Sequence, residues 1–213
     1  MAEVLYRNAG RSDLGAIARI FLDAFPESVE YYTGHPIGPL AIEDAFAIVF
    51  DAEPEAFFVA ELNGRVVGYI VVPAGFSGIL RTAVLHGHLL KMFCRWITGR
   101  YGVGLRPVWM VARNWLGLAG ETRHPEAHAE ARILSIAVEP GCQGLGIGSG
   151  LTKAGLDYLR SRGEKMVRLE VRPDNQPAIR VYEKYGFKIT GETTDVQGKW
   201  LVMLLDLSGE EHG

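Results

Sequence analysis

The sequence predicts an α/β (α+β) fold: a central mixed, mostly antiparallel sheet of about seven strands, flanked by helices and carrying a helical insertion. Three observations support this prediction. Two amphipathic helical patterns precede a hairpin signal, a strand, a glycine-rich loop and a helix follow one another in the second half, and two strand-like runs end the chain. The 213 residues are 48% hydrophobic, which is enough to bury one sizeable core, so we expect a single domain over 1–213.

The first predicted elements are a strand and two helices. Residues 3–8 form the strand, and Ser12 is expected to cap the first helix. Pro39 starts a second helix, whose apolar residues recur at the spacing of one helical face. Residues 26–39 are predicted to be irregular, and their aromatic side chains either line a binding cleft or pack as an ordinary surface loop.

Residues 57–62 and 66–72 form a predicted antiparallel hairpin. Both runs are rich in β-branched and aromatic side chains, and the dipeptide Asn63-Gly64 joins them. Asparagine and glycine accept the left-handed backbone conformation that a two-residue hairpin turn requires. The dipeptide therefore predicts both the turn and the pairing of the two strands.

Residues 74–129 form a predicted helical insertion that is both apolar and basic. One apolar helical stripe covers 85–97 and a second covers 108–118. No acidic residue occurs between positions 62 and 120, and basic residues interrupt the apolar run, which argues against a transmembrane span. Three roles stay open: a flap packed on the domain with solvated basic residues, a homodimer interface, or peripheral contact with an anionic partner such as a membrane surface.

The segment 132–191 carries the most specific pattern. An apolar strand at 133–138 leads into a glycine cluster at 144–148 and then a helix, which aims backbone N–H groups and the positive helix end at one point. This order predicts a phosphate site. A dinucleotide fingerprint is excluded because Ser149 stands where glycine is needed, and a P-loop because no Gly-Lys-Ser/Thr is present there. The remaining predicted strands are 166–172, 187–190 and 199–207.

Two spaced motifs follow the apolar strand. They read Gln143-x-x-Gly146-x-Gly148 and Asn175-x-x-Ala178-x-x-x-Tyr182-x-x-x-Gly186-Phe187. In this order they resemble the acetyl-CoA-binding core of the GNAT superfamily of N-acetyltransferases, closely over 131–191 and by pattern elsewhere. The core motifs are similar to those of bacterial ribosomal-protein N-terminal alanine acetyltransferases, from which the long insertion departs.

This resemblance implies an acetyl-CoA-dependent N-acetyltransferase that acts on a primary amine, either a small molecule or a peptide N-terminus. Acetyl-CoA would be a co-substrate, and no metal is expected. Backbone amides of the loop would hold the pyrophosphate, and amides near the end of the 133–138 strand would polarise the thioester carbonyl. The residues implied in coenzyme binding are Ile136, Ala137, Val138, Gln143, Gly144, Leu145, Gly146, Ile147, Gly148, Ser149, Asn175, Ala178 and Tyr182.

The resemblance also implies the catalytic groups. Tyr182 matches the general acid that protonates the departing thiolate, and a tyrosine pKa near 10 keeps it protonated at neutral pH. Glu170 matches the general base. The alternatives are that Tyr182 only packs against the sheet and that Glu170 forms an ion pair with a neighbouring arginine. Glu130, before the 133–138 strand, is a rival base.

Composition narrows the class of protein. A net charge of −3 and a pI near 6.1 give no general attraction to nucleic acid. Cys94 and Cys142 lie far apart without a CxxC motif, so neither a disulfide framework nor a zinc site is predicted, and a cytoplasmic protein is expected. Two other functions stay open: a coenzyme-A-binding regulatory protein without turnover, and a transferase for a longer acyl group.

Overall fold

The computed structural model describes residues 3–75, 77–104, 131–195 and 197–208. Within these ranges, eight strands form two four-stranded sheets, against which the α-helices pack. In chain order the elements are β1 (Val4–Asn8), α1 (Leu14–Ala24), α2 (Pro26–Thr33), α3 (Leu40–Ala52), β2 (Phe57–Leu62), β3 (Arg65–Val71), α4 (Ser77–Leu85), α5 (His88–Ile97), β4 (Ala131–Arg132), β5 (Ser135–Val138), α6 (Ile147–Ser161), β6 (Met166–Val171), α7 (Gln176–Lys184), β7 (Lys188–Asp195) and β8 (Gly198–Asp206).

The first sheet has the order β1-β2-β3-β5 and is antiparallel throughout. The second has the order β4-β6-β8-β7, in which only the short β4–β6 pairing is parallel. The predicted mixed, mostly antiparallel α/β arrangement is therefore confirmed. Its strands are divided between two sheets, which the sequence pattern did not predict.

The two sheets meet where the chain changes hydrogen-bond partners. The Ile133 N–H donates to the carbonyl of Arg168 on β6 over 2.9 Å, whereas the Leu134 N–H donates to the carbonyl of Val71 on β3 over 2.9 Å. The predicted continuous strand at 133–138 is thus wrong for its first two residues, because they connect the sheets and do not extend either of them. The described residues of β5 and β6 belong to different sheets, and an opening separates these two strands.

The β2–β3 hairpin confirms the strongest short-range signal in the sequence. Asn63 has a φ of 53° and Gly64 a φ of 75°, both left-handed, as a two-residue hairpin turn with matching twist requires. The strands pair antiparallel from Phe57 opposite Val71. Local turn chemistry alone therefore accounts for this element.

Helices cover both faces of the first sheet. Tyr69 and Val71 of β3 point into a core with α1 and α3, whereas Ile70 and Val72 point into a core with α6. Gly155 allows α6 to approach closely, because a Cβ there would lie 2.9 Å from Cγ1 of Val72. The α6 helix, which follows the glycine-rich loop, is consequently held tightly on β3.

The prediction that residues 26–39 are irregular is wrong, because Pro26–Thr33 form α2. Proline stands in the first turn of this helix, and Gly34 ends it with a left-handed φ of 85°. Proline at the start and glycine just after the end are together a helix signal. The weak amphipathic pattern of the segment concealed that signal.

Ser12 does not cap the first helix as predicted. It lies within a 3-10 turn, Arg11–Asp13, and α1 begins at Leu14. Asp13 is the N-cap residue of α1, but its side chain makes no hydrogen bond to the helix. Its carboxylate instead accepts the Gly10 N–H over 2.8 Å and binds Arg7 over 2.7 Å, which fixes the turn before the helix.

In the described part of the insertion, basic side chains of α5 contact a carboxylate of α3. On α5, Lys91 Nζ lies 2.9 Å from Oδ1 of Asp44, and Arg95 Nη1 lies 2.5 Å from Oδ2. The Tyr101 hydroxyl donates to the same carboxylate over 2.7 Å, and Asp44 is only 3% exposed. The flap prediction with solvated basic residues is therefore wrong for Arg95, whereas Lys91 keeps 44% of its side chain exposed beside Asp44.

The apolar side of the insertion faces outward. Four side chains of the predicted helical stripe and one neighbour are between 49% and 71% exposed, whereas Met92 and Trp96 of the same stripe are half-buried. The exposed side chains are Leu85, Leu89, Leu90, Phe93 and Ile97. The second stripe, at 108–118, lies outside the described residues. Among the residues that the structure describes, no helix is long and apolar enough to cross a membrane. A homodimer interface and a peripheral membrane contact remain predictions.

Replacing Asp44 with asparagine tests what holds α5 on the domain. Burial raises the pKa of Asp44, but hydrogen bonds from Tyr101, Lys91 and Arg95 outweigh it and lower the pKa below its usual range. We expect Asp44→Asn to reduce the free energy of unfolding by about 2 kcal/mol at pH 7, measured by urea unfolding. Asp23→Asn, at an exposed position on α1, is the control and should change little.

The same pKa shift gives the pH dependence of this difference. A carboxyl whose pKa is lowered by folding stabilises the protein above its unfolded pKa of about 3.9, and that stabilisation is lost as pH falls. The gap between wild type and Asp44→Asn should therefore narrow from pH 7 to pH 3. A gap that stays constant over this range would contradict the ion-pair explanation.

Candidate active site

The edge of β5 that faces the second sheet carries free peptide groups. The Glu139 N–H donates to a β3 carbonyl over 2.8 Å, and alternate residues of an antiparallel strand point the same way. The N–H of Ala137 therefore faces β3, while those of Ile136 and Val138 face the opening. The Val138 carbonyl agrees with this direction, because it accepts a hydrogen bond from Gln143 Nε2 over 3.3 Å.

The glycine-rich loop next to this edge is exposed and needs two of its glycines for backbone conformation. Gly144 and Gly146 both have a φ of 78°, and nothing lies within 4 Å of a Cβ built on either residue. Gly146 is also the N-cap of α6 and offers no side chain to cap it. The first N–H groups of α6, from Ile147 to Ser149, are therefore available to a ligand.

An ion pair with β3 and a backbone hydrogen bond attach the start of the loop to the first sheet. Arg65 binds Glu139 through both carboxylate oxygens, at 3.1 Å and 2.7 Å. The Cys142 N–H donates to the Glu139 carbonyl over 2.8 Å, and the Cys142 side chain is buried.

Ser149 connects the start of α6 to the end of α7. The Tyr185 hydroxyl donates to the Ser149 carbonyl over 2.7 Å and lies 3.0 Å from its Oγ, which completes a pair of reciprocal bonds. Gly150 beside it leaves room for a different side chain, because a Cβ there would lie 2.2 Å from the Tyr6 ring. The sequence gave no sign of the Tyr185 contact, which spans 36 residues.

Asn175 and Tyr182 are both on α7. The Asn175 side chain accepts the Ala178 N–H over 3.2 Å and so caps the helix. Tyr182 is 6% exposed and packs against Phe187 with ring centroids 5.8 Å apart. Burial raises the pKa of Tyr182 to about 12. No hydrogen-bond acceptor for its hydroxyl occurs among the described residues.

Glu170 and Tyr182 lie on opposite faces of β6. Tyr182 belongs to the core cluster that contains Val167, Leu169 and Val171. Side chains alternate along a strand, so Glu170 points to the other face.

Glu170 is 39% exposed and forms an ion pair with Arg168, with Nη2 and Oε1 2.7 Å apart. Arg132 pairs with Arg168 across the parallel β4–β6 register. Burial lowers the pKa of Arg132, and Glu170 counteracts this effect. The ion pair predicted as the alternative role of Glu170 is therefore present, and its role as a base stays a prediction. Glu130 lies outside the described residues.

Arg172, directly after the end of β6, connects the strand to the β7–β8 turn. Arg172 Nη1 donates to the Gln197 carbonyl over 2.9 Å, and its guanidinium lies 4.4 Å from the ring centroid of Trp200. Gln197 Oε1 also accepts the Ser28 hydroxyl over 2.9 Å, which brings α2 to the β7–β8 connection. Sequence reasoning missed this connection because Ser28 and Gln197 are 169 residues apart.

Comparison with known proteins identifies relatives of the chain. The acetyltransferase (GNAT) family matches residues 15–187. An N-alpha-acetyltransferase from Sulfurisphaera tokodaii is 31% identical over 192 residues, which cover 87% of this chain and 81% of that protein. A mycothiol acetyltransferase from Actinosynnema mirum is 44% identical over 76 residues, or 36% of this chain, and the match spans only 25% of that longer protein.

A solved acetyltransferase from Salmonella typhimurium, determined with its cofactor acetyl-CoA, has a similar fold. Its TM-score is 0.61 at 18% identity, and the match covers 98% of this chain and 96% of that one. At this level of identity the likeness shows the fold. The family match covers the glycine-rich loop and both spaced motifs, which agrees with the resemblance found in the sequence.

The left-handed conformation of Gly146 can be tested without any ligand. We expect Gly146→Ala to lower the free energy of unfolding by about 1–2 kcal/mol, because a Cβ disfavours positive φ. Gly141→Ala is a matched control in the same loop: Gly141 has no positive φ, and its added Cβ would meet nothing within 4 Å. Equal denaturation midpoints for the two variants would contradict this account.

Proposed function

The chain belongs to the acetyltransferase (GNAT) family of N-acyltransferases, and from this premise we propose that it transfers the acetyl group of acetyl-CoA to a primary amine within a ternary complex. One observation carries the proposal: the uncapped N-terminus of α6, with its left-handed glycines, lies directly after the free edge of β5. Phosphate and thioester groups of one extended ligand could use these two features together.

The coenzyme would bind along the opening between the sheets. Its pyrophosphate would accept hydrogen bonds from the backbone N–H groups between Gln143 and Ser149 at the positive end of α6. Its pantetheine would run along the edge of β5, where the peptide groups of Ile136 and Val138 are unpaired by β3. Asn175 and Ala178, at the start of α7, would border the same ligand. These assignments rest on backbone direction and helix polarity.

The reaction would proceed by direct attack on the thioester. Glu170, directly or through a water molecule, would take the proton of the acceptor ammonium, and the free amine would form a C–N bond with the carbonyl carbon. An N–H of β5 would stabilise the oxyanion. The C–S bond would then break as Tyr182 gives its proton to the coenzyme thiolate, and the second proton of the attacking nitrogen would restore the Tyr182 phenol as the amide forms. The raised pKa of Tyr182 keeps the phenol protonated at neutral pH before the reaction.

Glu170 can accept a proton from the acceptor only if its carboxylate contacts the acceptor together with Arg168 or in place of Arg168. The side chain is exposed enough to rotate, and surface ion pairs contribute little stability. An acceptor amine could replace the guanidinium as the cation beside the carboxylate. The ion pair would in that case hold the Glu170 side chain oriented before the acceptor arrives.

We propose a peptide N-terminus as the first acceptor class to test. One relative that matches this chain over most of its own length is an N-alpha-acetyltransferase. The mycothiol acetyltransferase match covers a much smaller part of both proteins, so it supports the chemistry more than the acceptor. Glu170, Arg172 and Trp200 would line the acceptor side of β6, with α2 at its border.

Removing the Tyr182 hydroxyl should slow the chemical step. We expect Tyr182→Phe to reduce kcat by roughly 100-fold, as for loss of a general acid, with little change in KM for acetyl-CoA. Release of coenzyme A from a panel of peptides and small amines would be followed with a thiol reagent. Tyr158→Phe is the control: its hydroxyl bonds to Glu53 over 2.6 Å, so stability should fall while kcat stays the same.

The base assignment is tested in the same assay with Glu170→Gln across pH. If Glu170→Gln and Tyr182→Phe both kept wild-type kcat on an accepted amine, the proposed mechanism would be wrong. If only Tyr182→Phe reduced kcat, Tyr182 would keep its assignment as the general acid, and Glu130 would be the next candidate base to test.

Ligand-induced thermal stabilisation tests the coenzyme site without an acceptor. Acetyl-CoA should raise the Tm of the wild type and of Gly141→Ala, because a ligand that binds the folded state stabilises it. The increase should be much smaller for Gly146→Ala. NAD should have no effect. Larger shifts with longer acyl-CoAs would favour a longer acyl donor, and stabilisation by NAD alone would overturn the coenzyme assignment.

A further inference from the structure

Three potential metal ligands come together outside the candidate active site. Asp51 lies near the end of α3, and His86 and His88 flank Gly87 in the turn between α4 and α5. One ligand atom from each residue lies within 4.8 Å of the other two. Gly87 has a left-handed φ of 70°, which lets the chain reverse between the two histidines. Of the three histidines that the structure describes, two are in this cluster.

The pair at the base of this cluster is already assembled. His88 is 5% exposed, and its Nε2 lies 2.9 Å from Oδ2 of Asp51. Ligands held at about 2.0–2.1 Å in tetrahedral zinc geometry lie about 3.3 Å apart, close to this separation. His86 is exposed, and the centroids of the two imidazole rings are 6.3 Å apart. Rotation of this free surface side chain alone would close the remaining gap.

We propose that Asp51, His86 and His88 bind a Zn²⁺ ion that fastens the α4–α5 turn to α3. Two imidazoles and one carboxylate are a donor set that zinc favours, and three protein ligands leave the fourth position to water. Arg11 contacts the other carboxylate oxygen, Oδ1, so Oδ2 stays directed at the cluster. Hydrogen-bonded carboxylates of this kind orient metal ligands in many sites.

The charge environment sets a limit on this site. Arg11 brings one positive charge to Asp51, which weakens the attraction for a cation. The two imidazole ligands and the water ligand at the fourth position would bind the ion whatever the charge of that carboxylate. The site should therefore bind zinc as a structural clip of moderate affinity. It should hold α5 in addition to Asp44, which contacts Lys91 and Arg95 further along the helix.

The test titrates ZnCl₂ into the chelator-treated full chain by calorimetry and follows Tm in parallel. We expect one ion per chain and a higher Tm. His86→Gln should weaken binding at least about tenfold and remove the Tm increase, without loss of folding, because His86 is exposed. His35→Gln is the matched control, since His35 is also exposed but lies away from the cluster. Co²⁺ should give a visible absorption spectrum of tetrahedral type in the wild type and in His35→Gln, but not in His86→Gln.

Two results would overturn the proposal. If zinc neither binds stoichiometrically nor raises Tm, the cluster is a hydrogen bond between His88 and Asp51 only. If His35→Gln weakens binding as much as His86→Gln does, zinc binds surface histidines without a built site. Asp51→Asn is a second variant that should weaken binding while it keeps a hydrogen-bonding side chain next to His88.

Discussion

The change of partner between Ile133 and Leu134 is the constraint on which the rest of the site depends. One peptide group bonds to β6 and the next bonds to β3, so two sheets begin from a single stretch of chain. Sheets joined in this way must separate beyond the junction, and the edge of β5 is left without a neighbour on that side. Unpaired peptide groups at a strand edge can pair with another chain, but here they face the opening between the two sheets.

The alternation of side chains along β6 gives its two faces different surroundings. Val167, Leu169 and Val171 lie in one core cluster with Tyr182, whereas Glu170 lies on the other face in an ion pair with Arg168. The hydrophobic face raises the pKa of the tyrosine, while the polar face keeps the carboxylate among cations. A single strand thus creates two different environments at one edge.

Two carboxylates on α3, buried Asp44 and half-buried Asp51, hold the described part of the insertion on the domain. Asp44 binds Lys91 and Arg95, and Asp51 binds His88, so α5 turns its polar side toward the domain. Its leucines and Phe93 consequently face outward. A helix normally buries its apolar face, and this inversion arises because an unpaired buried carboxylate would cost more than exposed apolar side chains.

The sequence by itself determined the features that depend on local chemistry. These include the Asn63-Gly64 turn, the glycine-rich loop before α6 and the alternation that singles out Glu170, because each rests on backbone preferences or periodicity within a few residues. Tertiary structure alone decided the division into two sheets, the inverted face of α5, and the meetings of Ser28 with Gln197 and of Asp51 with His88. Those features depend on hydrogen-bond and charge partners that are distant in the chain, and no local pattern specifies such partners.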